Sequence, residues 1–284
     1  MTTKSHPTIT PELRAWIVAQ AQAGFPPQDV LAAMRNSGWP EEVALEALEF
    51  TLTEHLQAQG KPIPGRTALP EPALDDAPIS IMVSGHEVKI LMTMMLPRVV
   101  VFGGLLTEAE CDELMAIAGK RLARSETVVN ETGGSEVNTA RTSEGMFFDR
   151  GENPLCQRIE QRVAELLNWP LRNGEGLQIL RYRPGAEYKP HHDYFDPVHS
   201  GTPTILARGG QRVGTLVMYL NTPTKGGSTI FPDVGLEVAP VKGNAVFFSY
   251  HAPHASTKTL HGGSPVIEGE KWVATKWLRE REFI

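Results

Sequence analysis

Apolar residues recur every three to four positions through residues 9–56 and every second position through much of the chain after residue 80. The pattern predicts a small helical segment followed by a strand-rich domain. Thr10 caps a first helix that Pro11 opens and Gly24 ends. Val30, Leu31 and Met34 share a face of a second helix, Asp29 to Asn36, stopped at Gly38. Pro40, Glu41 and Glu42 open a third, which carries Val43, Leu45, Leu48 and Leu52. Three short helices bury little apolar surface, so residues 1–56 are expected to dock on the main domain or on a protein partner. Residues 57–79, dense in Pro, Gly and charge, read as a linker, and the main domain is expected over 80–284.

Two helices stand out in that domain. Thr107 caps Glu108 to Ala118, with Glu110 at the third position to complete a capping box, and Asn153 to Leu167 is a second amphipathic stretch. Between them, Ser125 to Thr139 is polar around Gly133 and Gly134. It is expected to form a mobile loop beside the functional site, with Arg141 opening the next strand. Arg98 to Phe102 reads as a strand, and from Leu177 onward short strands alternate with turns at Pro184-Gly185, Pro232 to Gly235 and Lys242 to Asn244.

The candidate chemistry lies in these strands. Leu177 to Asp193 reads as a strand, a Pro-Gly turn and a second strand running into His191, His192 and Asp193. Side chains two apart on a strand point the same way, so His191 and Asp193 can reach one ion while His192 faces away. Two imidazoles and a carboxylate occupy one face of an octahedral ion and leave the other positions open, as in non-haem iron(II) oxygenases, and His261 is the candidate second imidazole. Alone, a His-x-Asp triplet is equally a polar strand end, and nine histidines offer many third partners. Context favours the metal. Past His261, Lys271 opens a strand in which Lys271, Val273, Thr275 and Trp277 share a face. A cation on the inward face of a strand needs an anion, and a bound dicarboxylate would supply one.

These blocks resemble the 2-oxoglutarate and iron(II)-dependent dioxygenases of the prolyl 4-hydroxylase type. The likeness runs in order through Pro97 to Phe102, Glu110 to Leu114, Arg141 to Phe147, Leu177 to Asp193, Gly209 to Arg212, Thr215 to Asn221, Gly226 to Pro232, Lys242 to Phe248 and Leu260 to Trp277. It implies an α+β fold, a double-stranded β-helix (jelly-roll) oxygenase core over about 175–279 with supporting helices on one sheet, behind the small N-terminal three-helix bundle. It implies that His191, Asp193 and His261 hold Fe(II), and that Lys271 pairs with the distal carboxylate of 2-oxoglutarate. Tyr182 and Thr229 would donate hydroxyl hydrogen bonds to the same region, with Trp277 close by. Tyr188 and Arg212 look like substrate-side residues. Hydroxyls and aromatics are also simply common in strands, which is the competing account of Tyr182, Thr229 and Trp277.

The implied activity consumes O2 and 2-oxoglutarate, yields succinate and carbon dioxide, and hydroxylates an unactivated carbon, most naturally C4 of proline in a peptide or protein, with ascorbate as reductant. Halogenating relatives replace the carboxylate ligand with a small residue, so the retained Asp193 implies hydroxylation. The first 56 residues, with turns at Ala23-Gly24-Phe25 and Gly38-Trp39, loosely resemble a ubiquitin-associated bundle, which implies a protein partner; a structural extension or dimerisation arm is the alternative.

Composition narrows this little further. Hydrophobic content of 41% and charged content of 21% suit a chain that buries a full core, and a net charge of −6 argues against nucleic acid or an anionic membrane as partner. The opening residues lack the apolar core of a signal peptide. Cys111 and Cys156 are too few for a disulfide framework and read as packing residues. Secreted animal members of the family are rich in cysteine, and here Ser264 stands where a Cys is common; a cytoplasmic enzyme is expected. Two other readings stay open: an oxygenase of a free amino acid or other small molecule, and an oxygen- or iron-sensing protein that recruits a partner through its N-terminal helices. Oligomeric state is open as well.

Overall fold

Residues 10–58, 69–124, 127–128, 135–136 and 142–284 are described by the computed structural model, and the chain falls into two units, Met1–Arg66 and Thr67–Ile284. In the first unit, helices Pro11–Gln22, Pro27–Asn36 and Glu41–Ala58 share a core of Ile17, Val30, Met34, Ala44, Ala47 and Leu48. The Thr10 hydroxyl accepts from the Leu13 amide at 3.3 Å, the cap expected of its sequence. The second helix starts at Pro27 rather than Asp29, because a proline in the first turn forfeits no helical hydrogen bond.

The second unit is built on a nine-stranded antiparallel sheet. Its order is Ser80–Val83, His86–Met94, Arg98–Gly103, Ala245–Ser249, Arg212–Tyr219, Lys271–Arg279, Leu177–Tyr182, Glu144–Phe148 and Ala123–Arg124. A four-stranded sheet, ordered Leu236–Val238, Thr229–Phe231, His261–Gly263 and Tyr188–His191, forms the second layer. The period of two sorts each strand's side chains between two cores. Val100, Phe102, Leu177, Ile179, Leu216, Met218, Phe247 and Ala274 pack with helices Glu108–Ala118 and Pro154–Leu166. Their neighbours Val99, Val101, Leu180, Tyr182, Tyr219, Val246, Phe248 and Val273 pack with Phe231 and Val238 of the smaller sheet. This layering agrees with a jelly-roll core, covered on one sheet by helices.

The helices are fixed by the signals read in the sequence and by one pair that was not. Thr107 and Glu110 form the capping box. Glu110 also takes both arms of Arg162, at 2.8 and 2.9 Å, so a buried ion pair joins the two helices.

Two expectations change. The stretch read as a linker does not reach residue 79: Leu69 and Leu74 pack on the main core, the Glu71 amide donates to the Leu167 carbonyl at 2.9 Å, and Glu71 pairs with Arg98. Prolines here brace a segment against the sheet rather than loosen it, and Pro70 is buried. The Asp193 carboxylate is not on a strand, because pairing stops at His191. Most of Ser125 to Thr139, and Arg141 itself, lie outside the described residues; the next described strand is Glu144–Phe148.

Candidate active site

His261 is the register partner of His191 across two antiparallel strands, which is how residues far apart in sequence come to share a site. Gly262 permits the approach: a Cβ there would sit 2.8 Å from the Tyr188 carbonyl oxygen. Nδ1 of His191 lies 2.9 Å from the Lys189 carbonyl and Nδ1 of His261 3.0 Å from the Thr259 carbonyl. A carbonyl only accepts, so each Nδ1 carries the hydrogen and each Nε2 keeps its lone pair for a metal. Asp193 completes the group, with Oδ1 at 3.5 Å from His191 Nε2 and Oδ2 at 3.4 Å from His261 Nε2.

All three ligand atoms lie within 4.8 Å of one another. Burial pushes the Asp193 carboxyl up, but the positive charge that the His261 and His191 rings bear when protonated outweighs it and holds it well below the ordinary range, a role that a bound cation would take over from the neutral rings. Burial also lowers the His191 imidazole, favouring the neutral form that binds metal. Two lone-pair nitrogens and an ionised carboxylate on one side of a cleft fit Fe(II) with open positions.

The same cleft, about 460 Å³ counting its mouth, leads to Lys271. Its walls include Leu180, Val217 and Val273 beside Tyr182, Thr229 and Thr275. Lys271 is 5% exposed, and its Nζ stands 5.7 Å from the Tyr182 ring centroid and 5.8 Å from that of Tyr219. Among the described residues no carboxylate pairs with it, and burial pushes the ammonium down to about 7. Thr229 accepts a 2.8 Å hydrogen bond from the Tyr219 hydroxyl, which leaves the Thr229 hydrogen free to donate elsewhere.

Of the remaining expected residues, Tyr188 and Trp277 line the cleft. Tyr188 stacks on His191 with centroids 3.7 Å apart, and Trp277 keeps a buried indole N–H without a hydrogen-bond partner among the described residues. Arg212 is different. It was read as a substrate-side residue; in the structure Glu175 takes its guanidinium at 2.7 and 3.0 Å, and its Cζ lies 4.0 Å from the Trp277 ring centroid. The strand register shifts between Arg212 and Gly214, and Glu175 also holds Arg279 at 2.6 Å. An arginine already neutralised by a buried carboxylate supports the Trp277 wall instead of offering a free charge.

Several residues escaped the sequence reading: Thr215, which donates to Asp193 Oδ2 at 2.7 Å, Tyr250 behind it, Tyr219 and Glu175. Thr215 and Tyr219 carried a legible signal, since they share a face with Val217 inside a strand that was recognised. Glu175 and Tyr250 lie beyond strand ends and carried none.

Comparison with known proteins agrees with this geometry. The family model for the 2OG-Fe(II) oxygenase superfamily matches residues 177–279. The chain is 41% identical over 211 residues to prolyl 4-hydroxylase 2 of Arabidopsis thaliana, spanning 66% of this chain and 69% of that protein. It is 39% identical over 228 residues to the probable prolyl 4-hydroxylase 4 of the same plant, spanning 72% of this chain and 74% of that one. The crystal structure of the viral collagen prolyl hydroxylase of Paramecium Bursaria Chlorella virus-1, in complex with 2-oxoglutarate, superposes with a TM-score of 0.50 at 31% identity, covering 64% of this chain and 95% of the viral one. A catalytic unit with this donor set, this fold and these relatives belongs to the 2-oxoglutarate and iron(II)-dependent dioxygenases of the prolyl 4-hydroxylase type.

Proposed function

We propose that the protein hydroxylates C4 of proline within a peptide or protein, using Fe(II), 2-oxoglutarate and O2. The observation that carries the reading is a buried Lys271, with no carboxylate partner among the described residues, in the same cleft as His191, Asp193 and His261. In this reading the triad holds the iron, which when bound supplies the coupling of 2-oxoglutarate decarboxylation to oxygen transfer. Lys271 receives the distal carboxylate as a charge pair, and Thr229, its acceptor role taken by Tyr219, donates its hydrogen to the same group, with Tyr182 alongside. Leu180, Val217 and Val273 keep water from the reacting centre. Tyr188 and Trp277, the latter 6.5 Å from the exposed Phe147 ring, provide aromatic surface for a prolyl ring, and Arg212 positions Trp277.

Further assignments go with this proposal: ascorbate as the reductant, a cytoplasmic setting supported by two buried free thiols, and a ubiquitin-associated-like helical segment over 1–56 that recruits a protein partner. The test is succinate formation with and without a panel of proline-containing peptides, read together with 4-hydroxyproline in the product. Stimulation and hydroxyproline are expected with the parent protein and with neither His191→Ala nor His261→Ala. If no peptide or folded protein stimulates turnover and a free amino acid is hydroxylated with tight coupling, the small-molecule reading replaces this one.

A further inference from the structure

Asp193 offers two oxygens, and one of them is already spoken for. Thr215 Oγ1 lies 2.7 Å from Asp193 Oδ2 and 3.0 Å from Tyr250 Oη. An ionised carboxylate only accepts, so Thr215 must give its single hydrogen to Oδ2, and Tyr250 must then be the donor to Thr215. The chain of hydroxyls therefore runs one way. Both groups are buried, at 0% and 2% exposure. Both are also anchored in the large sheet: Thr215 is registered against Phe248 on one side and Trp277 on the other, and the Tyr250 amide donates to the Val213 carbonyl at 3.1 Å. Asp193 lies past the end of its strand, outside any ladder, and its backbone carbonyl meets only a long 3.5 Å contact from Arg212 Nη1 among the hydrogen bonds of the described residues.

We propose that Thr215, backed by Tyr250, is a positioning residue that occupies Oδ2 of Asp193 and so reserves Oδ1 for the metal. The carboxylate is thereby confined to one-oxygen ligation, and the positions that co-substrate and oxygen require stay open. The inference rests on the triad being the metal site. Without the threonine hydroxyl, Asp193 is free to turn or to offer both oxygens.

The test uses the full chain without oxygen, titrated with Co(II) and with Mn(II). It reads the dissociation constant and the visible spectrum of bound Co(II), with a thermal melt of each metal-free variant alongside. Thr215→Val should weaken metal binding by about ten- to a hundredfold and alter the Co(II) spectrum, Thr215→Ser should restore both, and Tyr250→Phe should weaken binding by a smaller factor. Parent affinity and an unchanged spectrum in Thr215→Val, beside a His191→Ala protein that no longer binds, would overturn the proposal while leaving the metal site intact. A His191→Ala protein that binds like the parent would instead overturn the metal-site reading beneath it. Should Thr215→Val fail to fold, Tyr250→Phe decides: parent affinity with the parent spectrum rejects the proposal, and a shift in both supports it.

Discussion

Lys271 and Lys276 stand on one strand, Lys271–Arg279, and both are buried, at 5% and 2% exposure. Their surroundings could hardly differ more. Lys276 faces the helices, where the Glu160 carboxylate and the Glu175 carbonyl take its ammonium. Lys271 faces the cleft, where two tyrosine rings approach it and no carboxylate among the described residues does. Burial lowers both ammonium groups, Lys271 to about 7. One cation is part of the protein's own packing and the other is left for a ligand. The odd spacing between them, on a strand of period two, is what sends them to opposite faces.

The largest effect should come from removing each lysine in turn. Lys271→Ala should raise the KM for 2-oxoglutarate more than a hundredfold through loss of a buried charge pair, about 3–5 kcal/mol. Lys276→Ala should instead lower the urea midpoint by a similar free energy, since Glu160 is left buried and unpaired, with KM unchanged in the folded fraction. If both variants moved the same quantity, the contrast would be lost.

Stability against pH sharpens it next. The folded Lys271 value of about 7 lies below its unfolded value near 10.4. Between the two the unfolded chain binds more protons, so this group makes the metal- and ligand-free protein more stable as pH rises through that window. Lys271→Met should flatten that rise and raise the melting temperature at pH 7, measured by calorimetry; a lower melting temperature would mean that Lys271 has a protein anion after all. A smaller consequence follows for binding. The co-substrate pairs with the charged ammonium, so its KM should climb above pH 7 in the parent, by at most about tenfold per pH unit, and stay level in Lys271→Met.

The smallest effect tests the neighbour. Tyr219→Phe removes the hydrogen bond that orients Thr229, worth about 0.5–1.5 kcal/mol, and should raise the KM for 2-oxoglutarate severalfold with kcat unchanged. A loss of thermal stability without a change in KM would make Tyr219 a packing residue only.

Local signals carried far in this chain. Thr107 and Glu110 announced a helix start, Pro11 and Thr10 another, and the alternation in Lys271–Arg279 put Lys271, Val273, Thr275 and Trp277 along one cleft wall. They misled where one residue type serves two purposes. Prolines at 70 and 72 looked like linker and are buried against the main unit, and the buried Glu175 that holds Arg212 was not foreseen.

What the sequence determined by itself was therefore everything governed by neighbours along the chain: helix caps, strand periods, the His191-x-Asp193 spacing, and the turns at Gly185 and Gly235. Only the tertiary structure decided the rest. It set His261 opposite His191, gave Oδ2 of Asp193 to Thr215, matched Glu175 to Arg212, and supplied an anion to Lys276 while setting the Tyr182 ring beside Lys271. The reason is physical. A cap or a period is satisfied within a few residues, whereas a buried charge is satisfied by whichever group the fold brings within about 3 Å, and sequence distance carries no information about that.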